Sequence, residues 1–149
     1  MLTIALTLHL LGTVVWVGGM FFAHMALRPV AAELLEPPQR LPLLKGVLDR
    51  FFRWVWLAVV LILVTGYWIF LGPFKGEGAM HVLIMLGVGT VMAAIFVYIY
   101  NVPYRRMGAA LAAGKLPVAG ASMAQIRRLI GLNLVLGLIT TVIAVAKPF

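Results

Sequence analysis

The sequence predicts an all-α integral membrane protein, a four-transmembrane-helix up-and-down bundle with both termini on the non-cytoplasmic side. Three observations carry that prediction. Of the 149 residues, 64% are hydrophobic and only 11% charged, against about 25% charged in soluble domains; a soluble domain of this size cannot cover so much apolar surface. Four apolar windows are each long enough to cross a hydrocarbon core of about 30 Å. The basic residues are segregated. Arg28, Arg40, Lys45, Arg50 and Arg53 fall between the first and second windows, and Arg105, Arg106, Lys115, Arg127 and Arg128 between the third and fourth. Only Lys75 and Lys147 lie on the other side, as the positive-inside bias requires. The same placement argues against nucleic acid as the reason for the net charge of +8.

The elements follow in order as one domain, residues 1–149, with spans at about 2–27, 54–71, 80–100 and 129–146 and cytoplasmic connections at about 28–53 and 101–128. Span one is predicted to stop at Arg28-Pro29, because proline disfavours helix in the residue before it. Residues 1–8 lack a basic region and the apolar run is too long for a signal peptide, so no cleavage is expected. Glu36-Pro37-Pro38 breaks the chain. From Leu43 the residues Leu44, Val47, Leu48 and Phe51 repeat at helical spacing, which predicts an amphipathic segment running straight into span two. Trp54, Trp56, Tyr67 and Trp68 suit the two interfaces of that span, and Gly72-Pro73 closes it. Span three begins at Met80-His81 and is predicted to end at Asn101-Val-Pro103, with Tyr98, Tyr100 and Tyr104 as an aromatic belt. Gly89 and Ala93 form a small-residue pair for helix contact. A short Ala-rich helix precedes Gly114, and Ser122-x-x-Gln125 reads as a capping box opening a new helix. In span four, Asn133, Gly137 and Thr141 recur every fourth residue, a stripe suited to bonding a neighbouring helix.

The chemistry-bearing residues are the three histidines. An ionisable side chain within a membrane span is costly and marks a functional site. Thr13, Trp16, Met20 and Leu27 lie within about 40° of His9 on the helical wheel, whereas His24 lies about 22 Å further along the axis. His9 and His24 therefore cannot share one metal. His9 and His81 fall in the same leaflet on different helices, and bundle cores are where facing helices build cofactor sites. A pair of imidazoles suits six-coordinate haem; the same pair near the thioethers of Met20 and Met85 suits copper, since soft sulfur selects Cu(I). Thr13 or a water is the expected partner for the polar edge of His9. His24 is a lesser candidate because it can face water. There is no cysteine, which removes thiolate sites and disulfides. Every acidic residue (Glu33, Glu36, Asp49, Glu77) lies in a connection, which argues against a hydrolase or a carboxylate proton relay.

The stretches LHLLGTVVWVGGMFF with ALRPV, FFRWVWLAVVLILVTGYW and RRLIGLNLVLGLITTVIAV resemble helices of the copper-resistance protein D (CopD) domain, in a small stand-alone form. The resemblance implies copper handling or homeostasis across a bacterial inner membrane; the charge placement then puts both termini in the periplasm. His9, Trp16, Gly66, His81 and the terminal AKPF also resemble the HemJ-type protoporphyrinogen oxidase, a four-span protein that binds b-type haem. That family carries a lysine shortly after its span-three histidine and an Asn-Glu-x-Pro motif in its last helix. Here Val82-Leu83-Ile84-Met85 follow His81 and Leu-Val-Leu follows Asn133.

These readings lead to one expectation and two alternatives. The expectation is a CopD-like protein with a site in the outer leaflet that holds copper or haem b, His9 being the primary ligand, His81 the second, and Trp16 and Met20 the walls. The alternatives are a haem-b membrane oxidoreductase of protoporphyrinogen- or quinol-oxidising type, and a cofactor-free structural or assembly subunit. Expected partners are the lipid bilayer and a metal ion or haem, with no nucleic acid. Four short helices enclose too little space for a wide pore, so a transport route would call for a homodimer.

Overall fold

The computed structural model describes residues 1–149, and every element in it is helical. Helix α1 spans Leu2–Phe22 and continues through a π turn at Ala23–Leu27 into α2, Arg28–Leu34. Helix α3 runs unbroken over Pro37–Leu71. Helix α4, Met80–Ile99, passes through a second π turn at Tyr100–Tyr104 into α5, Arg105–Ala112. Helix α6 covers Leu116–Ala146. The result is four long apolar helical rods, each sufficient to cross a membrane. One end of the bundle gathers both termini and the α3–α4 loop. The other, the basic end, gathers ten of the twelve Lys and Arg residues. Outward-facing Leu10, Val14, Val64 and Val142 are well exposed, as befits side chains whose solvent is lipid.

The structure corrects five sequence expectations. Arg28-Pro29 and Asn101-Val-Pro103 do not end their helices. A π turn lies just before Pro29 and another contains Pro103, and such local widening lets an apolar rod carry a proline without orphaned backbone groups. Arg28 N–H, for example, bonds the carbonyl of Ala23 five residues back. The helix predicted from Leu43 begins at Pro37, six residues earlier, because proline suits a first helical turn. Ser122 does not cap a helix. Helix α6 already started at Leu116, and Ser122 is buried within it, while Gln125 donates to the Tyr98 hydroxyl at 3.1 Å. The tyrosines do not form a belt. Tyr98 faces outward, but Tyr100 and Tyr104 stack at 5.2 Å and pack onto Phe52.

The core divides by depth. At mid-bundle, Phe96 meets Trp56 at 5.0 Å, Phe52 at 5.3 Å and Trp16 at 6.4 Å between ring centroids, all edge to face, an arrangement favoured by the ring quadrupoles. Helix α1 lies against α3 and α4 against α6. The α1–α3 contact is close because Gly12 leaves room. A Cβ there would sit 3.0 Å from Ile62 Cγ1 and 3.2 Å from the Ala58 carbonyl oxygen. Across α4 and α6, the buried Asn133 donates from Nδ2 to the Met92 carbonyl at 3.0 Å, the interhelical bond that the small polar stripe predicted.

Candidate functional site

Between the aromatic layer and the end bearing the termini, the four rods line a half-open cavity of about 320 Å³. Its walls are almost entirely apolar. Thr13, Thr140 and Thr141 line it, but each donates its hydroxyl proton to a carbonyl of its own helix, at 2.9, 2.7 and 2.8 Å. The groups left to meet a ligand are His9 on α1, the indole of Trp16, and the thioethers of Met85 and Met92 on α4.

The chemistry of His9 is set from α3. Its Nδ1 lies 2.9 Å from Thr65 Oγ1. The Thr65 hydroxyl, itself buried, donates back to the Leu61 carbonyl at 2.5 Å. A hydroxyl has one proton, so toward His9 Thr65 can only accept. Nδ1 therefore carries the imidazole proton, and Nε2 keeps its lone pair. This is the arrangement in which a histidine is oriented by one nitrogen and offers the other. Gly66, next to Thr65, makes the approach possible. A Cβ there would come within 3.3 Å of His9 Cε1.

The other sequence candidates are dispersed. Trp16 and Met85 line the cavity with His9. Met20 is 2% exposed, packed in the core, and does not line it. His81, at the start of α4, does not line it either. Its Nδ1 donates to the Phe149 main-chain oxygen at 2.7 Å, which is brought there after Lys147 ends α6 in a left-handed turn with φ of 45°. His24 is at the basic end on the first π turn, against Gly131 of α6. No cluster of three or more His, Cys, Asp or Glu side chains exists, and the cavity's donors are one borderline imidazole and two soft thioethers. Haem ligation by paired imidazoles is not assembled in this cavity.

Sequence reading assigned the partner of His9 to Thr13 or water and passed over Thr65. The available signal was the Thr65-Gly66 pair, a small polar residue beside a glycine in an otherwise apolar run. A second missed contact joins the basic end. Asp49 accepts from Lys45 and from the Tyr104 hydroxyl, tying α3 to the second π turn. Burial alone would raise the Asp49 carboxyl, but the hydrogen bonds from Lys45 and Tyr104 and the charges of Lys45 and Arg53 hold it below the usual range. Burial and the same carboxylate push the Tyr104 phenol well above its ordinary value, so it stays a donor.

Four long apolar rods around a half-open cavity with few polar groups define a multi-pass membrane protein. The chain belongs to the Copper resistance protein D family, whose model matches residues 45–147. The match runs from within α3 to just past α6 and leaves α1, with His9, outside it. No curated protein and no solved structure matches the chain. Family membership makes this a copper-resistance-related membrane protein.

Proposed function

We propose that the protein handles copper as cargo, taking Cu(I) into the cavity through His9 Nε2 and the Met85 thioether. The observation that carries this reading is the hydrogen-bond relay Leu61–Thr65–His9, which leaves Nε2 unprotonated in a cavity with thioethers and no carboxylate. Such a donor set favours Cu(I) over harder ions. By helix rise, His9 and Met85 are each about 8–10 Å from the start of their helices, and Met92 about 10 Å deeper than Met85. Met92 is then the next thioether on the way inward, and the Trp16–Phe96 layer is the floor. This reading puts the chain in a bacterial inner membrane with the termini in the periplasm, because ten of the twelve basic residues lie at the opposite end.

Titration of the purified protein with Cu(I), against a chromogenic Cu(I) chelator, tests it. One Cu(I) per chain is expected. His9→Ala is expected to abolish stoichiometric binding, and Met85→Leu to weaken it, with no loss of helix content. Stoichiometric binding that survives His9→Ala unchanged would overturn the assignment.

A further inference from the structure

The basic end holds a second cavity, a groove of about 490 Å³ where α2, the start of α3 and the start of α6 converge. Arg28, Arg40 and Arg127 all line it. Each is half-buried, whereas Arg50, Arg53, Arg105, Arg106 and Arg128 are exposed. None of the three has a carboxylate within 4.0 Å, since the protein's one ion pair is Lys45–Asp49. Arg28 Nε is buried with no hydrogen-bond partner. Holding cations together without a counter-charge is costly, and so is burying an N–H donor without an acceptor.

Two further features have the same sign. Helices α3 and α6 open at Pro37 and Leu116, and both ends border the groove, so the positive ends of two helix dipoles add to the three guanidiniums. Leu41, Leu44 and Met123 form an apolar floor beneath the arginines. A ligand that satisfies all of this carries several anionic oxygens in a compact group, for which the planar guanidinium fork is suited.

We propose that this groove binds a phosphate group through Arg28, Arg40 and Arg127. Two sources offer that chemistry, the headgroup of an anionic phospholipid and a soluble phosphate. The apolar floor and the place of the groove, where the rods pass from apolar to basic sequence, suit the headgroup, with its acyl chains running along the bundle.

The test uses the full-length protein in detergent and in nanodiscs. Native mass spectrometry reads retained lipid after exposure to equal amounts of phosphatidylglycerol and phosphatidylcholine. Retention of one phosphatidylglycerol in preference to phosphatidylcholine is expected. Arg28→Gln and Arg127→Gln are each expected to weaken retention by about fivefold, the effect of one cation at a membrane surface. Arg40→Gln supplies the same reading should the Arg28 variant fail to fold. Arg105→Gln, an exposed arginine outside the groove, is expected to change nothing. Inorganic phosphate that displaces the lipid at millimolar concentration identifies the soluble source, and lipid retained against it identifies the headgroup; both support the site. Equal loss in Arg105→Gln and the groove variants, or no preference between the lipids together with no phosphate binding, overturns it.

Discussion

Thr65 decides what His9 can do. Because its one hydroxyl proton goes to Leu61, the imidazole must donate from Nδ1, and the nitrogen left over is an acceptor rather than a donor. Removing such an orienting partner typically lowers metal affinity by about 10–100-fold. Thr65→Val, close in shape but without the acceptor, should therefore reduce Cu(I) affinity by about tenfold or more, and Thr65→Ser should restore most of it. Chelator competition on the two variants reads this directly. Gly66→Ala acts on the same ring sterically. Its methyl would meet His9 Cε1 at 3.3 Å, so the imidazole must shift by a few tenths of an ångström, and weaker Cu(I) binding with unchanged thermal stability is the expected result.

Among the elements, the α1–α3 pair is the tightest. At Gly12 the added atom would meet the backbone oxygen of Ala58 and not only a side chain that can move. Gly12→Val should force α1 away from α3, at a cost of about 1–3 kcal/mol by analogy with overpacked cores, visible as a lowered thermal midpoint in detergent. The α4–α6 contact is less demanding. Replacing Asn133 by Leu removes one interhelical hydrogen bond, worth about 0.6 kcal/mol on average in a membrane. The Asp49 clamp works outside the spans and depends on pH. Its carboxyl is depressed in the folded state from an ordinary value of 3.8. Its contribution is therefore complete above that value and is lost as pH falls through the lower folded one. Asp49→Asn should remove this part of the acid-side slope in a pH series of thermal midpoints.

At the scale of the whole molecule, the question is orientation. With no cysteine in the chain, single cysteines introduced at Gly76 and Gly114 report the two ends without background. A membrane-impermeant thiol reagent applied to intact spheroplasts should label the Gly76 position and spare the Gly114 position; the reverse pattern would invert the proposed topology. The aromatic layer of Trp16, Phe52, Trp56 and Phe96 closes the bundle below the cavity. A copper path through one copy therefore has to open this layer, whereas a path between two copies need not. Phe96→Ala should raise Cu(I) flux into proteoliposomes if the path is internal.

Apolar length and charge placement are local quantities, and they were enough to specify four rods, their antiparallel order and the segregation of basic residues to one end. His9 stood out for the same reason, as a polar ring in an apolar run. Whether a proline stops a rod was not legible, because it depends on a π turn that can be absorbed only when the neighbouring helices hold both sides in line. The partner of His9 is 56 residues away in sequence at Thr65, a contact created by the crossing of α1 and α3. The groove arginines come from three separate segments. Sequence by itself thus determined which groups are costly to place in a membrane. Only the tertiary structure decided which of them meet, since hydrogen bonds and charge clusters form between helices whose rotation about their own axes no single helix specifies.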